Sequence, residues 1–205
     1  MARDTQSIVK MSRREGYALH PKAHKALVKR TSPPGQSAQG RFRGKSSQYS
    51  LQLREKQKVK RLYGLLEKQF SNLMKEASRT KGQSGEVLLR LLEQRADNVI
   101  YRAGFAPSRR AARQLVTHGH FMINGRRFDV PSQRLVIGDK LTLREHSKKT
   151  DYFKRLDDVS PSPESTVSWL KANRSKIEVE VKALPVREEA EPDINEQLIV
   201  EYYSR

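Results

Sequence analysis

Two histidines separated by one glycine, His118 and His120, sit within RQLVTHGHFMINGRRF, residues 113–128. A second pair, His20 and His24, has the i, i+4 spacing that suits a metal on one helix face. Imidazoles carry protons near neutral pH or ligate metals. Either use needs partners, and here they are scarce. The chain has no cysteine, and downstream of the His118/His120 pair the first carboxylate is Asp129. The paired carboxylates Asp157-Asp158 and Glu188-Glu189 are adjacent in expected loops, where such neighbours are solvated. There is no GxxxxGK[ST], GxSxG or HExxH pattern and no glycine-rich dinucleotide turn. No catalytic residue, metal or cofactor is therefore expected, and the chain does not read as an enzyme.

The other abundant chemistry is cationic. Of 205 residues, 41 are Lys or Arg and 23 Asp or Glu, a net charge of +18. Residues 1–61 hold 16 basic and 3 acidic side chains, residues 62–150 hold 17 and 8, and residues 151–205 hold 8 and 12. A polyanion is the natural counterpart, because each phosphate neutralised releases counterions. The surface that meets it is expected in the first three quarters. No uncharged apolar run approaches the roughly 18 residues of a membrane span. MARDTQSIVK also lacks the apolar centre of a secretory signal, so no membrane partner is expected. Apolar residues with glycine reach roughly 41%, below the ~45–50% usual for globular domains. Any core must be compact.

Which elements place these cations? Residues 1–46 have no sustained period and include SRREG, with Arg13 and Arg14, and the Pro- and Gly-rich RTSPPGQSAQGRFRGKSS, which begins at Arg30. They read as an extended basic arm ordered by its ligand. From Ser50, an expected N-cap, apolar residues at Val59, Leu62, Tyr63, Leu66, Phe70, Leu73 and Ala77 trace an amphipathic helix, broken at Gly64. Arg54, Lys56, Lys58, Lys60 and Arg61 surround its first half with only Glu55 opposing them, which favours phosphate contact.

A second run containing Leu88, Leu92, Val99 and Ile100 is expected to continue to Gly104. Ser108 is a helix N-cap for a short helix with apolar Ala112, Leu115 and Val116. Opposite that face Arg109 and Arg113, with Arg110 beside them, form a basic ridge. Asn124-Gly125 accepts the positive φ angles of a two-residue hairpin turn, from which Arg126 and Arg127 emerge on opposite faces. KLTLRE and KIEVEVK alternate as strands, and INEQLIVEYYSR reads as a helix more than a strand. His118 and His120, at the exit of the basic helix, serve as phosphate or ribose donors or pack into the small core.

These residues carry a resemblance. SRRAARQLVTHGHFMINGRRFDVPSQRLVIGDKLTLRE is similar to the small RNA-binding domain of ribosomal protein S-four, some pseudouridine synthases, tyrosyl-tRNA synthetases and a heat-shock RNA-binding protein. PPGQSAQGRFR, QLREKQKVKRLYGLLEKQF and DINEQLIVEYYSR narrow it to the S-four family of bacterial and organellar small ribosomal subunits.

The resemblance implies an α+β chain with three parts. These are the basic arm, 1–48; a discontinuous, mainly helical domain, 49–93 and 165–205; and an inserted small RNA-binding domain, 94–160, with a helix pair and a small antiparallel sheet. It implies a primary binder of small-subunit ribosomal RNA at a multi-helix junction of the 5′ domain, which nucleates assembly and supports translational accuracy. The implied partners are that rRNA, mRNA at its entrance tunnel, and ribosomal proteins S-three and S-five, on a cytoplasmic or organellar ribosome. Carried over by motif, Arg41, Arg43 and Lys45 resemble residues near the mRNA. Arg54, Lys56, Lys58 and Arg61 fall in the rRNA-facing helix. Arg95, Arg102, Ser108, Arg109, Arg113, Gln114, His118, Asn124 and Arg126 fall in the small domain.

Many relatives hold zinc with four arm cysteines. Here Ser12 stands near the first such position, and no zinc is expected. The competing readings are a free RNA-binding regulator and an RNA-modifying enzyme using the same small domain; the latter needs a catalytic domain that the ~50 residues after 155 are too few to supply.

Overall fold

A computed structural model describes residues 4–35, 47–161 and 167–204. In chain order the helices are α1 (Ile8–Glu15), α2 (Pro21–Lys29), α3 (Gln48–Leu62), α4 (Glu67–Arg79), α5 (Ser84–Glu93), α6 (Ala96–Arg102) and α7 (Arg109–Thr117). Strands β1 (Phe121–Ile123), β2 (Arg126–Arg127) and β3 (Lys140–Leu143) follow, then short helices α8 (Glu145–Lys148), α9 (Asp151–Lys154) and α10 (Leu156–Val159). The last elements are β4 (Leu170–Asn173), β5 (Glu178–Val181), a 3₁₀ turn (Arg187–Glu189) and α11 (Glu196–Tyr203). The chain divides into two compact units, residues 1–88 with 193–205, and residues 89–192.

The first unit is helical. Ser47 caps α3, its hydroxyl accepting the Ser50 N–H at 3.2 Å. Gly64, at φ 64°, turns the chain between α3 and α4, as its place in the apolar pattern predicts. The stripe Val59, Leu62, Phe70, Leu73 and Ala77 is buried. The terminal segment is a helix, capped by the Asn195 side chain and packed on α3 through buried Ile199. Gln52 and Glu55 of α3 bond Glu201 and the Asn195 N–H, at 2.8 and 2.9 Å.

The arm differs from expectation: it is not wholly extended, because α1 and α2 form within it. Local caps and tertiary burial together explain this. Gly16, at φ 66°, closes α1, and the His20 Nδ1 accepts the Lys22 N–H at 3.0 Å to start α2, with Pro21 at the first helical position. Met11, Leu19 and Ala23 are buried. Ser12 is fully buried too, its hydroxyl accepting the Leu19 N–H at 3.3 Å. Arg41, Arg43 and Lys45 lie outside the described residues.

The second unit wraps an antiparallel sheet of order β2-β1-β3-β5-β4. Asn124 (φ 49°) and Gly125 (φ 78°) make the hairpin turn between β1 and β2, matching the Asn-Gly signal. Leu141 pairs in register with Ile123 on one side and Val179 on the other. Its core gathers Phe105, Leu115, Val116, Phe121, Leu141, Trp169 and Val179.

Two further expectations change. The run from 84 to 104 is two helices, because Ala96 donates to the Gln133 carbonyl at 2.8 Å and Leu135 to the Gln94 carbonyl at 3.0 Å. That pairing leaves Gln94 and Arg95 outside helical geometry, between α5 and α6. Residues 167–192 do not join the helical unit either. β4 and β5 complete the sheet through β3, so only residues from 193 onward return to the helices.

Candidate nucleic-acid interface

In the second unit the interface is built on α7 and the hairpin beyond it. Ser108 caps α7 by accepting the Ala111 N–H at 3.2 Å. The helix ends in paired backbone bonds, Gly119 N–H to the Val116 carbonyl (2.7 Å) and His120 N–H to the Leu115 carbonyl (3.2 Å). That closure requires the left-handed Gly119, at φ 68°. Ala112, Leu115 and Val116 are buried, so the helix can show solvent only its other side.

The basic ridge expected on that side is not uniformly available. Arg113 donates to Asp97 Oδ2 from Nε (2.9 Å) and Nη2 (2.6 Å), while Arg95 grips both oxygens of the same carboxylate at 3.1 and 3.0 Å. Arg109 donates to Asn98 Oδ1 (2.8 Å) and Glu191 Oε1 (2.9 Å), and its guanidinium lies 4.6 Å from the centre of the Tyr101 ring. Arg102 holds Glu93 with two bonds, at 3.0 and 2.9 Å. Asp97 and Glu93 are almost fully buried, and a buried carboxylate demands such partners. The i, i+4 spacing of Arg109 and Arg113 thus places both guanidiniums toward internal acids.

What remains exposed is a different stripe: Arg110, Gln114 and His118 along α7, continued by Arg126, Arg127 and Lys140 on the sheet. Arg127, Lys140 and Arg144 were not among the RNA-contact residues expected from the sequence. A Cβ placed on Gly119 would stand 2.9 Å from Arg127 Nε, and Arg144 donates to the Gly119 carbonyl at 3.1 Å. The glycine between the histidines is therefore flanked by two guanidiniums. The signal for Arg127 was its place beside Arg126 after the turn; the proximity of Arg144, 25 residues away, had none.

The two histidines separate in role. His118 is exposed. His120 is partly buried, with Nδ1 3.0 Å from Ser147 Oγ and its ring edge-on to Phe153. Burial, then the charges of His118 and Arg144, lower its pKa and favour the neutral ring. Asn124 is tied within the turn, donating to Asp139 at 2.8 Å and accepting the Lys140 N–H at 2.9 Å.

In the first unit the basic side chains of α3 also find internal acids. Arg54 and Arg61 both reach Glu15, whose side chain is 0% exposed. Burial raises the pKa of Glu15 despite these arginines. Lys56, expected at the surface, is buried: its ammonium meets Glu67 at 2.7 Å and lies 4.4 Å from the centre of the Tyr202 ring. Lys58 meets Glu55 at 2.8 Å and donates to the Asp193 carbonyl at 2.5 Å. Arg13 donates to the carbonyls of Ser32 (3.0 Å) and Pro33 (3.4 Å), whereas Arg14, Lys10, Lys22 and Lys25 are exposed. In both units, then, part of the basic side chains face internal acids while others, such as Arg14, Arg126 and Arg127, are exposed.

A mainly helical unit and a sheet unit, each with exposed cations, give the chain an α+β fold, with no metal-holding cluster among the described residues. Comparison with known proteins sharpens this. Residues 3–93 match the family described as "Ribosomal protein S4/S9 N-terminal domain", and residues 94–141 match "S4 domain". Small ribosomal subunit protein uS4 of Pelodictyon phaeoclathratiforme is 50% identical over 206 residues, covering 100% of both chains. The uS4 proteins of Chlorobaculum tepidum (48% over 206 residues) and Herpetosiphon aurantiacus (49% over 211) are likewise covered end to end. The chain belongs to the uS4 family of small-ribosomal-subunit proteins.

Proposed function

We propose that this chain is a non-enzymatic structural component of the small ribosomal subunit that binds its ribosomal RNA. The observation that carries the reading is end-to-end likeness to uS4 proteins, joined to an exposed cationic stripe inside the S4 domain. In this reading Arg110, Gln114, His118, Arg126 and Arg127 meet the RNA backbone, with Arg14 and neighbouring lysines contributing from the first unit. A +18 chain makes the contact strongly salt-dependent.

The finer roles follow from family likeness: binding at a multi-helix junction of the 5′ domain, nucleation of assembly, and a place beside the mRNA entrance tunnel with ribosomal proteins S-three and S-five. Arg41, Arg43 and Lys45 are assigned to the mRNA side of that arrangement. Sedimentation of tagged chain from a cell lysate tests the central claim. Co-migration with small ribosomal subunits is expected; a free pool alone overturns it in favour of a free regulator or an RNA-modifying enzyme.

A further inference from the structure

Val136 and Ile137 stand 58% and 56% exposed at neighbouring positions of one turn in the second unit. Single exposed aliphatics are ordinary on a protein surface, but two side by side on a fixed backbone form a patch. The turn is held from three directions. The Asp139 N–H donates to the Val136 carbonyl at 3.1 Å, and the Val136 N–H donates to Asp139 Oδ2 at 2.9 Å. The Gly138 N–H reaches the Val181 carbonyl (2.9 Å) and the Val181 N–H the Asp139 carbonyl (3.1 Å), which ties the turn to β5. Asn124 of the hairpin turn donates to Asp139 Oδ1 at 2.8 Å. The two aliphatic side chains are thus presented on a backbone already ordered, which lowers the entropy cost of binding to them.

The surroundings select the partner. Lys140 follows the turn, Lys182 follows Val181, and Arg126 leaves the hairpin turn; all three are exposed. Leu184, 41% exposed, lies within about 11 Å of Val181 by chain length alone. Asp139 is committed to the bonds just given, and Glu180, in register with Lys140, answers at most one of the three cations. A second copy of a chain at +18 would be repelled. Nucleobases stack on flat side chains, and Val and Ile offer no flat face. A few aliphatic side chains supply far less than the ~800 Å² per partner of a standard interface, which suits a short segment rather than a folded domain.

We propose that the Val136–Ile137 turn, with Arg126, Lys140 and Lys182 beside it, is a docking point for a short acidic segment of a partner protein that carries aliphatic side chains between its carboxylates. The aliphatic groups cover Val136 and Ile137 while the carboxylates meet the cations. The proposal stands apart from the rRNA reading, although Arg126 serves both, so a docked segment competes with RNA for that side chain.

The test uses the full chain and two synthetic peptides of equal length and charge, one alternating glutamate with leucine and the other glutamate with glycine. The leucine peptide should bind about tenfold more tightly, the order expected from covering two half-exposed aliphatic side chains, and should shift the methyl resonances of Val136 and Ile137. Val136→Ser with Ile137→Ser should erase the difference between the peptides while Trp169 fluorescence keeps the wild-type unfolding midpoint. Val28→Ser, at a 74% exposed position of the first unit, should leave the difference intact. Lys140→Gln with Lys182→Gln should weaken both peptides and flatten the salt dependence of their binding.

Equal binding of the two peptides by the wild-type chain overturns the proposal, as does a leucine preference that survives the double serine replacement. Should that variant unfold, the wild-type chain decides, and unmoved Val136 and Ile137 methyls overturn the docking point. A salt dependence untouched by the lysine replacements overturns the choice of an acidic partner. If the serine replacements instead lower affinity for a 5′-domain rRNA fragment and leave the leucine preference unchanged, the turn meets RNA and the proposal falls.

Discussion

Asp97 Oδ2 accepts two hydrogen bonds from Arg113, sixteen residues ahead, at 2.9 and 2.6 Å, while Arg95 closes on the carboxylate from the other side. The side chain of Asp97 is only 3% exposed. One buried acid thus orders the start of α6, the middle of α7 and the chain between α5 and α6. Asp97→Asn leaves two guanidiniums without their counter-charge, and removing one partner of a buried pair typically costs about 3–5 kcal/mol. The sole tryptophan, Trp169, is buried in the same unit. Its fluorescence during urea unfolding should report a midpoint lowered accordingly; a midpoint unchanged from wild type would show that the pairing contributes nothing.

Arg126 and Arg127 are exposed on the two-residue strand after the hairpin turn. Replacing both with Ala should leave the Trp169 unfolding midpoint nearly unmoved while weakening rRNA binding and flattening its salt slope by roughly 1–2 units. Arg109→Ala with Arg113→Ala, in the ridge expected from the sequence, should behave differently. Because Arg113 is bonded to buried Asp97 and Arg109 to Asn98 and Glu191, their loss should lower stability as well as affinity. If stability stays constant for the second pair, these bonds do not brace α7.

Glu67 accepts hydrogen bonds from Lys56 (2.7 Å), Lys60 (3.0 Å) and the Tyr203 hydroxyl (2.9 Å). Burial works to raise its pKa, but these donors outweigh burial and hold it at about 2, against an ordinary 4.5. A depressed folded pKa adds stability above the unfolded value, and that increment disappears as pH falls from about 4.5 toward 2. Glu67→Gln should therefore unfold more easily than wild type at pH 7, with the gap narrowing across that window. The half-exposed setting keeps the effect modest, since solvent screens such pairs. Urea midpoints by circular dichroism at pH 7, 4 and 2.5 measure it; a gap that widens toward acid contradicts the assignment.

Gly119 combines a left-handed backbone with the Arg127 guanidinium close above it. Gly119→Ala should cost about 1–2 kcal/mol for the αL conformation alone. The new methyl must also push Arg127 aside, so rRNA affinity should fall even where the protein remains folded. A variant as stable as wild type would mean that α7 ends in another way.

Much of the local structure was legible because its causes are local. The apolar spacing from Val59 to Ala77, the Ser108 cap, the Asn124-Gly125 turn and the terminal helix each depend on neighbours a few residues apart. The cationic character of the chain needed only composition. The fate of individual cations did not follow from either. Arg113 meets Asp97 across 16 residues, Arg109 meets Glu191 across 82, and Arg61 meets Glu15 across 46. The same holds for α1 and α2, stabilised by burial of Met11 and Ala23, and for β4 and β5, joined to β3 by hydrogen bonds. Periodicity and turn chemistry act along the chain, so the sequence alone determined α3 and α4, α7, the terminal helix, the hairpin and the cationic character. Ion pairing acts through space and depends on burial, so only the tertiary structure decided which arginines brace the fold and which stay exposed.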